Sequence, residues 1–159
     1  VPDPAPTPEA VVALLRHLGL NVATGESLTA GLVAATLADV PGASTVLRGG
    51  VVAYDVDVKQ RVLAVPGPAL AHGAVSESVA VAMAVGARDE VGADVGIATT
   101  GVAGPEPHDG QPVGSVWIAV ATADGAVARH LDLAGDRAAI RRQTVAACWA
   151  LVVEVLGRE

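Results

Sequence analysis

Apolar positions, mostly Ala and Val, fall in short runs that Gly, Pro or a charged residue repeatedly interrupts. Pro8 to Leu18 reads as a helix capped by Thr7, with Pro8 at its first position and Gly19 as its stop. Asn21 to Thr24 reads as a short strand, and Ser27 to Ala38 as a helix of small residues ending before Pro41-Gly42. Val46 to Tyr54 reads as a second strand, in which Gly49-Gly50 allows a bulge or a close backbone approach. A short helix over Val56 to Ala64 closes at Pro66-Gly67-Pro68, and Ser76 caps a longer one through Val91, with Gly92 as its C-terminal signal. Asp94 to Thr99 has the unbroken apolar character of a central strand. Val116 to Thr122 and Ala126 to Leu133 form a hairpin around Ala123-Asp124-Gly125, and Asp136 caps a last helix through Leu156. This alternation predicts an α/β fold, a three-layer α/β/α sandwich, in which the late hairpin requires at least one antiparallel strand. Residues 1–8 read as an extended Pro-rich leader and 9–159 as a single domain.

Composition narrows the class. The chain has 159 residues, of which 52% are hydrophobic and 17% charged, with no Phe, two Trp and one Tyr. Side chains this small suit a tightly packed α/β core. The longest apolar stretch, Thr144 to Val155, is short of the ~20 residues of a membrane span, and no signal peptide is expected at the start. A net charge of -7 disfavours nucleic acid as a partner, because phosphate neutralisation needs a basic footprint. The lone Cys148 sits in an apolar helical stretch, reads as a small buried residue, and fits a reducing, cytoplasmic setting. His17, His72, His108 and His130 have no partners at metal-ligand spacing, so no metal is expected.

Candidate chemistry gathers where strands hand over to loops, the usual ligand edge of an open α/β sheet. In Thr24-Gly25-Glu26-Ser27-Leu28-Thr29-Ala30-Gly31, a serine at a helix opening would meet substrate beside free backbone N–H groups. Ser27 or Thr29 acting only as a helix cap explains the same residues. Tyr54 at a strand end and Lys59 one turn into the next helix can share a crevice with it, although a solvated Lys beside Asp55 and Asp57 is the plainer alternative. Lys59 is the only Lys among ten basic residues, and an amine, unlike a guanidinium, can lose its proton. Thr99-Thr100-Gly101-Val102-Ala103-Gly104-Pro105 exposes backbone N–H groups suited to an anion, or is a plain tight turn. Arg137, Arg141 and Arg142 bring positive charge to the start of the last helix; Arg141 can reach a phosphate or pair with a surface acid.

Taken in order, these segments resemble the CinA C-terminal domain family, the nicotinamide-nucleotide amidases. The family's Glu-Ser-Cys-Thr-Gly-Gly motif corresponds to Glu26-Ser27-Leu28-Thr29-Ala30-Gly31, and its Gly-Gly-Val-Val-Ala-Tyr strand and following Lys to Gly49 through Tyr54 and Lys59. His72 to Ser76, Thr100 to Pro105, Pro112 to Trp117 and Gly135-Asp136-Arg137 complete the series. The resemblance implies a mixed, mostly parallel five-stranded sheet and hydrolysis of nicotinamide mononucleotide to nicotinate mononucleotide and ammonia. It implies Ser27 as nucleophile, Lys59 as base and Tyr54 nearby. Glu26, Leu28, Thr29, Ala30, Gly31, Thr100, Gly101, Gly104 and Arg141 would surround the substrate, with no cofactor and a homo-oligomeric assembly. Departures are Leu28 for the motif's Cys, Ala30 for its first Gly, where an added Cβ is expected to crowd substrate, and Glu106 where further Gly is usual. The alternative is a non-catalytic domain of the same fold that binds a nucleotide or a partner protein in competence or stress responses.

Overall fold

The computed structural model describes residues 1–158. Five helices and five strands follow the expected order. They are α1 (Pro8–Leu18), β1 (Val22–Glu26), α2 (Leu32–Ala38), β2 (Leu47–Val52), α3 (Val56–Arg61), α4 (Glu77–Val91), β3 (Val95–Gly101), β4 (Ser115–Thr122), β5 (Gly125–Asp132) and α5 (Arg137–Leu156). The Thr7, Ser76 and Asp136 side chains accept the backbone N–H groups of Ala10, Val79 and Ala139, as N-caps do. Gly19 and Gly92 close α1 and α4 in the left-handed conformation that a Cβ disfavours.

The sheet order is β2-β1-β3-β4-β5. β1 pairs in parallel with both β2 and β3, whereas β4 runs antiparallel to β3 and to β5. Only β4 therefore points the other way, which gives the mixed, mostly parallel sheet expected. Period-two alternation sends neighbouring side chains to opposite faces. Ile97, Ile118 and Val120 pack with Val11 and Leu15 of α1, Val33 and Leu37 of α2, and Ile140 and Val152 of α5. Ala98, Ala119 and Ala121 face the other way, onto Ala80, Met83, Ala84 and Ala87 of α4 and Leu63 beyond α3. One face is thus branched aliphatic and the other almost all Ala, and the second permits very close approach. A Cβ on Gly96 would lie 2.0 Å from the Ala84 carbonyl oxygen, and one on Gly86 would lie 1.9 Å from that of Leu63.

One element departs from expectation in a way that shapes the site. Ser27 to Ala38 is not a single helix: residues 27–31 form a bend and turns, and α2 begins only at Leu32. Ala30 (φ 48°) and Gly31 (φ 97°) are both left-handed, which a helix interior does not allow. The Glu26 carboxylate then caps the late start, accepting the N–H groups of Val33 (2.8 Å) and Ala34 (3.1 Å). Strand β2 also stops short, at Val52, and two 3-10 turns, Ala43–Thr45 and Gly67–Leu70, occupy segments read as connections.

Candidate active site

The chain leaves β1 to build β2 on one side and, later, β3 on the other. A crevice opens outside the carboxyl ends of strands at such a switch. Ser27 stands there as the first residue past β1, its N–H bonded to the Thr99 carbonyl of β3 at 3.0 Å. It faces a cavity of about 330 Å³ bordered by Leu28, Tyr54, Val56, Lys59, Ala74, Val75, the Thr100–His108 run and Arg137.

Lys59 comes from α3. Asp55 caps this short helix by accepting the Asp57 N–H, and Asp57 pairs outward with Arg61 at 2.7 Å. The Lys59 stem is therefore aimed inward, and the residue is 2% exposed. Its amine lies 2.9 Å from Ser27 Oγ and donates to the Tyr54 carbonyl oxygen at 3.0 Å. No carboxylate touches it. Burial dominates and lowers its pKa to about 8, against the opposing pull of Asp55 and Asp109. A serine hydroxyl in contact with an amine that spends part of its time neutral can be deprotonated as it attacks.

Three walls hold this pair. Glu26, itself buried, ties the nucleophile turn together: its Oε1 accepts the Thr29 hydroxyl at 2.6 Å, and that hydroxyl also meets Thr99 Oγ1 at 2.8 Å. Arg141 of α5 donates to the carbonyl oxygens of Leu28 (2.9 Å) and Thr29 (3.0 Å). Arg137, one turn earlier, donates to the Gly104 carbonyl (2.5 Å) and the Tyr54 hydroxyl (2.7 Å), joining two rims of the cavity. The loop after β3 is also fastened to residue 74: Thr100 Oγ1 donates to its carbonyl, and Asp109 accepts its N–H.

Of the residues expected around substrate, Ser27, Lys59, Tyr54, Leu28, Thr100, Gly101 and Gly104 border the cavity. Glu26, Thr29, Ala30, Gly31 and Arg141 do not; they shape its wall from behind. Arg141 pairs with no surface acid among the described residues; its Nε and Nη2 hold backbone carbonyls of the Ser27 turn. Ala30, expected to crowd substrate, is left-handed and does not border the cavity. Nor do helix-opening N–H groups of α2 serve Ser27, which precedes that helix by five residues. The Ala30 N–H is taken by the Ser27 carbonyl at 3.0 Å. The N–H groups of Leu28, Ala103 and Gly104, all on the cavity, have no protein acceptor among the described residues. Val56 and Ala74 are cavity residues that sequence reasoning left out, while Glu106, His108 and Arg137, which it noted without placing them at the substrate, also border the cavity. The Gly135-Asp136-Arg137 motif was the available signal for the last of them.

Among the described residues no three His, Cys, Asp or Glu side chains gather as a metal site needs. Among them, too, no helix is long and apolar enough to cross a membrane. Cys148 is fully buried, and burial raises its pKa far above the range in which a thiol reacts.

The same order of elements recurs in known proteins. A putative competence-damage inducible protein of Desulforamulus reducens is 49% identical over 138 residues, covering 86% of this chain and 34% of that protein. A CinA-like protein of Frankia casuarinae is 47% identical over 148 residues, covering 92% and 34% respectively. The chain thus spans about a third of the length of these relatives. Among solved structures, the competence/damage inducible protein CihA from Agrobacterium tumefaciens superposes with a TM-score of 0.90 at 33% identity, covering 95% of this chain and 93% of that one. A competence-damaged protein (CinA) superfamily protein from Klebsiella pneumoniae gives 0.90 at 34% identity, covering 96% and 97%. Residues 5–156 match the model of the CinA C-terminal domain, which takes in the Ser27 turn, Lys59, the loop after β3 and Arg137 and Arg141 of α5. The chain belongs to the CinA C-terminal domain family.

Proposed function

We propose that this domain is a serine amidase acting on the carboxamide of nicotinamide mononucleotide, with Ser27 as nucleophile and Lys59 as general base. The observation that carries the reading is the 2.9 Å contact between Ser27 Oγ and a buried Lys59 amine whose pKa is lowered to about 8. At that value about a tenth of the amines are neutral at pH 7.

Ser27 Oγ attacks the carboxamide carbon as its proton passes to Lys59 Nζ. The carbonyl electrons move onto oxygen, where the unpaired Leu28 N–H, with those of Ala103 and Gly104, is available to the oxyanion. Lys59 returns the proton to the leaving nitrogen, the C–N bond breaks, and ammonia departs from an acyl-serine ester. Water then attacks the ester with Lys59 again accepting a proton, which restores Ser27 and releases the carboxylate. The Tyr54 backbone carbonyl, 3.0 Å from Nζ, keeps the amine oriented through the cycle.

The test is ammonia release from nicotinamide mononucleotide, set beside free nicotinamide and the dinucleotide. The expected result is turnover of the mononucleotide that Ser27→Ala abolishes. Ammonia formation that survives Ser27→Ala, or none from any of these amides, removes the proposal.

A further inference from the structure

The polar groups behind Ser27 form a chain of hydrogen bonds whose direction chemistry dictates. Glu26 of β1 stands opposite Thr99 of β3 in the parallel register. A carboxylate only accepts, so the Thr29 hydroxyl spends its single proton on Glu26 Oε1 at 2.6 Å. The 2.8 Å contact between the Thr29 and Thr99 hydroxyl oxygens must then take its proton from Thr99. With that proton spent, Thr99 Oγ1 presents a lone pair to the Ser27 N–H at 3.3 Å. The bonds therefore all run one way, from Ser27 N–H to Thr99, to Thr29, to Glu26. Each polarises the next, and all four residues are buried, where such links are strongest.

The Ser27 N–H also donates to the Thr99 carbonyl at 3.0 Å, so one residue of β3 holds it with two acceptors. The peptide that follows is fixed from its other side, because the Ser27 carbonyl accepts the Ala30 N–H at 3.0 Å. A trans peptide sets its N–H opposite to its C=O, so the Leu28 N–H is directed out of the turn. It has no protein acceptor among the described residues, and Leu28 borders the cavity. Thr99 does not border the cavity, so its hydroxyl can act on the reaction only through the Ser27 turn.

We infer that Thr99 is a positioning residue whose hydroxyl, ordered by Thr29 and Glu26, locks the Ser27 backbone so that the Leu28 N–H meets the oxyanion. This rests on the amidase reading and deepens it by naming what holds the donor in place.

Thr99→Val removes the hydroxyl and keeps a β-branched side chain suited to a strand. It should lower kcat for ammonia release from nicotinamide mononucleotide by roughly two- to tenfold, the scale of one hydrogen bond, with KM unchanged. Thr99→Ser keeps the hydroxyl and should keep kcat. Thr29→Val breaks the middle link without touching β3 and should show the same split between kcat and KM. The double variant should be little worse than either single one, because the links form one chain. Lys59 is the only lysine, so isotope-labelled lysine gives one side-chain NMR signal whose titration reads the base directly. That titration should be the same in the native protein and in Thr99→Val. A raised KM in place of a lowered kcat, a Thr99→Ser no better than Thr99→Val, multiplied losses in the double variant, or a displaced Lys59 titration overturns the inference. A fluorophosphonate reads Ser27 without amide turnover, since Ser27 Oγ displaces fluoride and leaves a tetrahedral adduct that needs the same donor. Its labelling rate should fall by a similar factor in Thr99→Val. Slower labelling with no ammonia from the native protein sinks the amidase reading and keeps Thr99. Ammonia with kcat and labelling unchanged in Thr99→Val does the reverse, and a native protein that neither labels nor releases ammonia overturns both.

Discussion

At Lys59 two requirements meet in one side chain. A base must be close enough to take the Ser27 proton, and it must spend time without a proton of its own. Burial meets the second, and the inward aim from a capped α3 meets the first. Lys59→Arg keeps the charge but cannot shed it, so ammonia release should fall by ~10²-fold or more while the fold, read by circular dichroism, persists. Ser27→Ala should cost as much, and the double variant little more than either, because paired groups act as a unit. In the native protein kcat/KM should rise about tenfold per pH unit below pH 8 and level off above it. Near-normal turnover in Lys59→Arg would strip Lys59 of its role as base. The pair was legible through the resemblance, which aligns Ser27 and Lys59 with the family's motif residues; the lone Lys by itself, beside Asp55 and Asp57, read equally as a solvated side chain. The supporting roles of Glu26 and Arg141 were not, because a carboxylate or guanidinium bound to backbone groups leaves no mark in residue spacing.

Among the elements, the parts with chemical punctuation were readable. Thr7, Ser76 and Asp136 cap their helices, Gly19 and Gly92 end theirs, and Ala123-Asp124-Gly125 turns the hairpin. The segment after Ser27 was misread because an isolated Gly is tolerated inside a helical pattern, whereas Gly31 here is left-handed and stands just ahead of α2. Its interruption depends on a side chain from β1, Glu26, which caps α2 five residues later than composition alone indicates. The Ala-lined face between α4 and the sheet explains why so much of the core is small. Gly86→Ala should force α4 away from the Leu63 carbonyl and cost about 1–3 kcal/mol, a drop visible in the thermal midpoint. Gly110→Ala meets no atom but takes a strained backbone (φ 73°), so it serves as the comparison for strain without collision. An equal drop in the two would show that α4 does not need the close approach.

For the molecule as a whole, the buried amine carries a stability cost that depends on pH. The folded pKa lies near 8 and the unfolded value near 10.5, so between them the unfolded chain binds more proton. Stability from this group therefore rises with pH across that window and is flat below it. The full change is on the order of 3 kcal/mol. Urea midpoints should climb from pH 8 to pH 10 in the native protein and lose that component in Lys59→Met; parallel curves for the two would refute the account. Three layers and a mixed sheet followed from the order of elements, since strand–helix alternation with one late hairpin admits few other packings. Which strand lies between which was beyond the pattern, because the interior strands β1, β3 and β4 are all buried along nearly their whole length.

Arg137 and Arg141 of α5 hold carbonyls that belong to the Ser27 turn and to the loop after β3. Synthesis proceeds from the N-terminus, so the ribosome delivers Ser27 before Lys59, Lys59 before Gly104, and Arg137 and Arg141 after all three. Until α5 emerges, nothing clamps the Leu28 and Thr29 carbonyls or ties Tyr54 to Gly104. The domain's serine and amine are thus made before the cavity around them can be finished. Docking of α5 is the step that closes the walls around the pair, so a domain lacking that helix would hold both groups without the frame that positions them.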